Sequence, residues 1–230
     1  MNYFFGINNN ELSCKLTVPK FQNQQLMPQG QYKLYMAFIK NYLWTIEKVE
    51  CEQDNYFYYV HNDCIKKNIF FFLAKVEEII KFKENNYKKL LDLNNFTDTS
   101  PNFRANMRIY NSFGGFSSYQ SEYPYSMIPK HGSILTPISS LTNKKADSNK
   151  VFLTNIYEKP IKEAFKLFIV DIVLKKVILE EDIFTNTINE INIEKKFINP
   201  NVYIITKKYI GIPVYVSLKN NHLSCEHTHP

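Results

Sequence analysis

The first 97 residues show an alternation of hydrophobic and polar positions that predicts β-strands. Tyr32, Leu34, Met36 and Phe38 are each separated by one residue, and a period of two places their side chains on one face of a strand. Short runs of this kind are bounded by Asn, Gly and Pro, which favour turns. The same pattern predicts strands at 2–7, 12–18, 44–49, 55–61 and 68–74.

Residues 75–93 change from the strand period to a helical one. Their apolar positions recur at spacings of three and four and leave lysines and glutamates on the opposite side, which is typical of an amphipathic helix packed on a core. The polar segment 94–102, NNFTDTSPN, is rich in turn-forming residues and predicts the end of the first module. The apolar face of the predicted helix consists of Val76, Ile79, Ile80, Tyr87, Leu90 and Leu91.

Residues 133–218 return to the strand period. Short runs of alternating apolar residues follow one another, with turns between them and no helical segment. That spacing is typical of an immunoglobulin-like or fibronectin-like sandwich, in which two antiparallel sheets enclose one core. The predicted strands cover 133–139, 150–157, 165–172, 176–184, 188–193, 201–207 and 212–218.

An internal repeat relates the two strand-rich parts. QYKLYMAFI (31–39) resembles AFKLFIVDI (164–172), and the same offset aligns NIFFFLAK with NVYIITKK. The apolar positions agree in register, which indicates two modules of one fold. We therefore predict a mainly β protein of two tandem immunoglobulin-like or fibronectin-like β-sandwich modules with one amphipathic helix between them. The predicted domains are 1–97, the first module with the helix; 98–132, a central connecting stretch rich in Arg and Tyr; and 133–230, the second module.

Composition and charge narrow the class of protein. The chain is 44% hydrophobic and 15% aromatic, which is enough for a folded core, and its net charge is +6. Its basic residues are nearly all lysines interleaved with acids, a pattern that favours a solvated surface over a nucleic-acid partner. We find no export signal, no apolar run of membrane-spanning length and no paired cysteine spacing. A cytoplasmic protein without a membrane span is expected.

The central stretch holds the chain's two arginines, Arg104 and Arg108. Their four-residue spacing puts both guanidinium groups on one face of a helix or a strand. A guanidinium grips a carboxylate or phosphate through two parallel hydrogen bonds, and the tyrosines and amides that follow suit a sugar. Alternatively, an ion pair with Glu122 makes the stretch a structural clasp between the modules. The predicted ligand-binding residues are Arg104, Arg108, Tyr119, Gln120, Glu122 and Tyr123.

The carboxy-terminal sequence HLSCEHTHP holds three of the chain's five histidines. His227 and His229 are two residues apart, so on a strand both project from one face, as in many His-x-His metal sites. Glu226 and His222 are further candidate ligands close by in the sequence. The segment predicts a site for a divalent metal such as zinc.

Two functional hypotheses follow from these segments. The first is a non-catalytic binding or assembly protein of tandem β-sandwich type, whose partner is an anionic sugar, a sugar nucleotide or another protein. The alternative is a metal-dependent enzyme that uses the carboxy-terminal His-x-His cluster. The Gly-Gly segment GGFSS (114–118) lacks the spacing of a phosphate loop, and the chain has no GxSxG motif. No catalytic residue is therefore predicted.

Overall fold

The structure, a computed structural model, confirms that the protein is mainly β, with 56% strand and 8% helix. None of its helices combines the length and the apolar character needed to cross a bilayer, as far as the described residues extend. The structure describes residues 2–22, 25–26, 32–84, 105–120, 122–124, 134–207 and 211–227.

Contacts along the chain divide it into two units. This division places Tyr110–Ser117 in the second unit. The predicted domains 1–97, 98–132 and 133–230 instead place that segment in the connecting stretch. Those ranges remain a prediction. Unit 1 consists of Met1–Ile109, Ser118–Ser126 and Tyr157–Ile161, and unit 2 consists of Tyr110–Ser117, Met127–Ile156 and Lys162–Pro230.

The strands in the first half of the chain form two five-stranded sheets and a two-stranded ribbon. They are β1 (Asn2–Phe4), β2 (Leu12–Pro19), β3 (Phe21–Gln22), β4 (Gln25–Leu26), β5 (Tyr32–Lys40), β6 (Leu43–Lys48), β7 (Glu52–Gln53), β8 (Phe57–Val60), β9 (Phe70–Lys75), β10 (Asn106–Asn111), β11 (Phe116–Gln120) and β12 (Glu122–Pro124). One sheet has the order β12-β1-β9-β5-β6 and the other β11-β10-β2-β8-β7, while β3 pairs with β4. All residues from Phe70 to Ala74 of β9 are buried, so both faces of this strand are covered, which accounts for its continuous apolar run.

Helix α1 (Val76–Glu84) follows β9 directly. Ile79 and Phe82 are buried, whereas Val76 and Ile80 are 40% and 49% exposed. The predicted apolar face is therefore wrong at Val76 and Ile80, because this short helix buries one ridge of residues three apart and leaves its flanks in water. The other residues of the predicted face, Tyr87, Leu90 and Leu91, lie outside the described residues.

The strands of unit 2 form a four-stranded and a three-stranded sheet that share one hydrophobic core. They are β13 (Ser148–Asn155), β14 (Ala164–Asp171), β15 (Lys176–Phe184), β16 (Thr187–Asn192), β17 (Val202–Thr206), β18 (Ile212–Lys219) and β19 (His222–His227). The sheet orders are β16-β13-β18-β19 and β15-β14-β17. On β14, Phe165, Leu167 and Ile169 are buried and alternate with more exposed residues, as the period of two predicts.

The strand predicted at 133–139 is wrong over its described part. Ile134 makes a single bridge to Ile205, and the short helix α2 (Ile138–Leu141) follows Pro137. Proline has no N–H to donate to a strand ladder, and its fixed φ suits the start of a helix. The apolar alternation is therefore misleading here, and β19 supplies the seventh strand of unit 2.

Three strands of one sheet and four of the other recur in both sets with the same neighbours, and two of their pairings keep the same register. The pairing of β14 with β15 is shifted by at least one residue relative to that of β5 with β6. In one sheet β9-β5-β6 corresponds to β17-β14-β15, and in the other β11-β10-β2-β8 corresponds to β19-β18-β13-β16. Leu34 pairs with Leu73, and at an offset of 133 residues Leu167 pairs with Thr206. The same offset relates the pairing of β2 with β8 to that of β13 with β16. In these two pairings the register is the one that the repeat in the sequence predicts.

Candidate functional site

The predicted arginine site is only partly assembled in the described residues. Arg108 is exposed on β10 between the fully buried Met107 and Ile109. On β11, Gln120 is half-buried, but Tyr119 is only 7% exposed. The period of two thus turns the Tyr119 ring towards the protein interior, while Arg108 projects to the surface. Arg104 lies outside the described residues.

The other two predicted ligand-binding residues lie in a different sheet. Glu122 and Tyr123 are on β12, where they pair with Phe4 and Tyr3 of β1. Strands β10 and β11 belong to the second five-stranded sheet. The six-residue ligand set is therefore divided between two sheets, and it remains a hypothesis for an anionic ligand.

The Gly-Gly pair has a structural role in the turn between β10 and β11. The Asn111 side-chain carbonyl oxygen accepts hydrogen bonds from the backbone N–H groups of Phe113 and Gly115, at 3.0 and 2.8 Å. Gly114 has a φ of 88°, which favours glycine. A side chain on Gly115 would overlap the carbonyl oxygen of Asn221. The two glycines therefore shape a turn and allow a close backbone approach.

This turn is hydrogen-bonded to the β18–β19 hairpin of unit 2. The Asn111 side-chain amide donates to the Asn221 carbonyl oxygen at 3.0 Å, and the Cys225 N–H donates to Ser117 Oγ at 3.2 Å. Burial raises the pKa of the Cys225 thiol to about 12, against a smaller lowering by its hydrogen bond with Ser117. The thiol is therefore protonated near neutral pH and is not a nucleophile.

The predicted metal ligands do not share one face of β19. His222 and Glu226 are exposed, and the period of two places His227 on the opposite face of the strand, with Cys225. His229 lies outside the described residues. Over the ranges that the structure describes, no group of three or more His, Cys, Asp or Glu side chains could hold a metal ion. The zinc site and the metal-dependent enzyme remain hypotheses.

A cleft with a volume of about 340 Å³ lies at the turn end of the β18–β19 hairpin. Lys219 pairs directly with His222, and Ser217 pairs directly with Ser224. Directly opposed residues of antiparallel strands project to the same face with their Cβ atoms about 5 Å apart. The cleft is lined by Asn143, Ser217, Lys219, Asn220, His222, Leu223 and Ser224.

The charges around the cleft are mainly basic. Lys219 and the imidazole of His222 face each other, and Lys144 and Lys145 are exposed on the loop that supplies Asn143. The nearest acid on that loop is Asp147, whose Oδ2 accepts a hydrogen bond from the Asn220 N–H at 2.7 Å. On β19, Glu226 lies four pairs from the Lys219–His222 pair, opposite Tyr215. Lys219 and His222 can both donate hydrogen bonds to a bound anion.

Asn149 fixes one wall of the cleft. Its side-chain oxygen accepts hydrogen bonds from Ser217 Oγ at 2.6 Å and from the Asn143 N–H at 3.0 Å. Its side-chain amide donates to the Asn143 carbonyl oxygen at 3.0 Å. Asn149 is only 3% exposed, so this network holds the loop against β18 without competition from water. The cleft is therefore formed before any ligand arrives.

The predicted site residues include His222 but not its partner Lys219. The sequence does carry a signal for this pair, because KNNH (219–222) has two asparagines between two strand-like runs. An Asn-rich two-residue turn predicts a hairpin that sets the flanking residues opposite each other. Asn220 has the left-handed conformation that such a turn requires, with a φ of 52°.

In comparisons with known proteins, no protein-family model and no curated protein matches this chain.

Proposed function

We propose that this chain is a non-catalytic binding protein that holds an anionic, hydroxyl-rich ligand, such as an acidic sugar or a sugar nucleotide, in the cleft of unit 2. The observation that carries the proposal is the direct pairing of Lys219 with His222 at the cleft. Lys219 provides a positive charge for a carboxylate or phosphate, and the His222 imidazole on the same face provides a hydrogen-bond donor. Ser224 and Asn220 add a hydroxyl and an amide for sugar hydroxyl groups.

The size of the cleft supports a small ligand. Its volume of about 340 Å³ lies near the lower end of the roughly 300–1,000 Å³ typical of small-molecule sites. The ligand class is the one predicted from the arginine stretch, but the proposed residues differ. Arg108 lies in unit 1 and does not line the cleft, so it serves below as a discriminating control.

We also propose that the two units are immunoglobulin-like β-sandwiches and that the protein is cytoplasmic. In an immunoglobulin-like sandwich, strands B and E are neighbours in one sheet, and strands C and F are neighbours in the other. The neighbours β2 and β8, and β5 and β9, support that correspondence in unit 1. Cys14, Cys51, Cys64 and Cys225 are free thiols, which supports a reducing, cytoplasmic setting.

The test is calorimetric titration of the full chain with glucuronate, UDP-glucuronate and, as the neutral analogue, glucose. We expect saturable binding of the two acidic ligands and no binding of glucose. The double variant Lys219→Gln/His222→Gln should weaken binding at least about tenfold, because a hydrogen bond to a charged group contributes roughly 1.5–3 kcal/mol.

Two matched variants make the result decisive. Lys162→Gln removes one exposed positive charge of unit 2 away from the cleft lining and should leave the affinity unchanged. If Arg108→Gln abolishes binding while the cleft variant binds normally, the ligand belongs to the arginine stretch and the cleft assignment is wrong. If neither acidic ligand binds at millimolar concentration, the proposal itself fails.

A further inference from the structure

The turn between β14 and β15 exposes an unusual concentration of aliphatic side chains. We define residues 172–177, with the sequence IVLKKV, as the apolar tip. Its two other members, Lys175 and Lys176, are also exposed, so none of the six side chains is buried. Such a group marks a contact surface. The exposed fractions are 46% for Ile172, 63% for Val173, 72% for Leu174 and 51% for Val177.

The conformation of the apolar tip is fixed by hydrogen bonds. Asp171 is 8% exposed, and its Oδ1 accepts from the N–H groups of Val173 and Leu174, both at 2.9 Å. The Ile172 N–H donates to the Asn201 carbonyl oxygen at 3.0 Å. These hydrogen bonds fix the turn in a conformation that exposes the apolar side chains.

The apolar tip is also basic. Lys175 and Lys176 are adjacent, and the nearest acid, Asp171, accepts two backbone hydrogen bonds within the turn. Further along β15, Glu180 and Asp182 pair with Lys166 at 3.1 and 3.0 Å. Asp171 lies directly opposite Lys176 in the strand pairing, and Glu181 of β15 is exposed. Two lysines and one carboxylate therefore lie at the tip itself, which leaves a net positive charge beside the exposed aliphatic groups.

We propose that the apolar tip inserts into the interface of an anionic lipid bilayer. Ile172, Val173, Leu174 and Val177 would enter the boundary between head groups and acyl chains, while the lysines contact lipid phosphates and carboxylates. The composition favours lipid over a protein partner, because protein interfaces are enriched in aromatic residues, Met and Arg and depleted in Lys. Juxtaposed lysines attract anionic lipids. The inference does not depend on the ligand proposed for the cleft.

The first experiment is flotation of the full chain with vesicles of phosphatidylcholine alone or with about 30% phosphatidylserine, in about 0.1 M salt, where surface charges are only partly screened. We expect binding to the anionic vesicles only. The variant Val173→Ser/Leu174→Ser should reduce the fraction bound at least about tenfold, because membrane affinity scales with the apolar area inserted.

The matched control is Tyr56→Ser/Ile80→Ser, which removes two exposed apolar side chains of unit 1. This variant should bind the anionic vesicles like the wild type. The variant Lys175→Gln/Lys176→Gln should bind less and lose the preference for phosphatidylserine. Circular dichroism melting curves that match the wild type show that each variant is folded.

A second readout tests insertion directly. In Leu174→Trp, the new indole should be quenched by brominated acyl chains when anionic vesicles are added. Absence of vesicle binding, wild-type binding by the Val173→Ser/Leu174→Ser variant, or absence of quenching would each overturn the proposal. If that double variant instead converts a dimer into a monomer in sedimentation velocity, with no vesicle binding, a second copy of the chain covers the tip and the lipid assignment is wrong.

Discussion

Unit 1 and unit 2 follow the same plan of strands, yet their interiors differ in chemistry. In unit 1 the core is dominated by aromatic and aliphatic side chains, such as Phe70, Phe71 and Phe72. All the buried polar or charged residues of the described chain belong to unit 2. They are Asn111, Asn149, Lys150, Thr154, Asn155, Asp171, Thr185, Asn186, Thr187, Asn189, Thr206 and Ser217.

Unit 1 therefore has an apolar core, whereas unit 2 also buries polar side chains. A buried polar side chain is costly unless it is hydrogen-bonded, so each one constrains its surroundings. In unit 2 these constraints shape the two proposed binding surfaces, since Asn149 fixes the cleft wall and Asp171 fixes the apolar tip. At the positions of the Lys150–Glu190 ion pair of unit 2, at 2.7 Å, in which only Lys150 is buried, unit 1 has Thr17 and Phe57 at the repeat offset.

The largest expected effect concerns one glycine in each unit. In Gly211→Ala the new methyl group would overlap the backbone carbonyl of Thr154, whereas in Gly6→Ala it would press on side chains of Cys14 and Ile65 at 2.8 Å. A backbone obstacle cannot move without breaking the sheet. We expect Gly211→Ala to lower the free energy of unfolding by about 3 kcal/mol or more, and Gly6→Ala by roughly 1–2 kcal/mol.

Urea unfolding followed by circular dichroism measures both glycine variants. If Gly6→Ala is the more damaging change, the close approach of β18 to β13 at Gly211 is less rigid than the structure indicates.

A smaller effect, opposite in sign between the units, is expected for two buried tyrosines. The Tyr215 hydroxyl in unit 2 is buried without a hydrogen-bond partner among the described atoms, and burial raises its pKa. In unit 1 the Tyr58 hydroxyl donates to the Tyr32 carbonyl oxygen at 3.1 Å. Tyr215→Phe should raise the free energy of unfolding by about 1 kcal/mol, and Tyr58→Phe should lower it by about 1 kcal/mol.

Thermal and urea unfolding of the two Tyr→Phe variants side by side provide the measurement. A loss of stability in Tyr215→Phe would show that its hydroxyl has a partner in the folded protein.

The smallest effect concerns pH and an exposed turn of unit 1. Hydrogen bonds from the Tyr56 and Phe57 N–H groups, and then from the Tyr59 hydroxyl, lower the pKa of Asp54. Its ionised form therefore stabilises the folded state above the unfolded pKa, and this contribution disappears as the pH falls through the folded pKa. Asp54→Asn should be slightly less stable than the wild type at pH 7, and the difference should shrink as the pH falls below about 3.9, the ordinary pKa of Asp.

Unfolding curves of the wild type and Asp54→Asn at several pH values test this dependence. A stability difference that stays constant from pH 7 to pH 3 would contradict the assigned hydrogen bonds.

Much of the strand pattern could be predicted because the alternation of side chains along a strand is a local property. The alternation in β14 predicts which side chains are buried, whereas β5 buries Leu34 together with Tyr35 and Ala37 from its other face. The repeat predicts the shared register of their pairings with β17 and β9. The strand predicted at 133–139 is wrong for a local reason as well, because Pro137 interrupts a run that otherwise alternates like a strand.

The candidate site could be predicted only in fragments. Residue type identified His222 and the Gly-Gly turn, but the partner of His222 depends on hairpin register. In the ligand set around Arg108, Tyr119 faces the interior and Glu122 lies in another sheet, so the set remains a hypothesis. Sequence proximity does not determine on which side of a strand a residue projects relative to distant strands.

The sequence by itself determined that this protein is mainly β, that its two halves repeat one strand plan, and that Lys rather than Arg carries most of its positive charge. Hydrophobic period and composition are sufficient for these conclusions. Only the tertiary structure decided that Lys219 faces His222 beside the Asn143 loop, and that the apolar tip stays exposed. Contacts between strands and loops far apart in sequence set the burial of each side chain, and burial decides whether an apolar or charged residue serves the core or a partner.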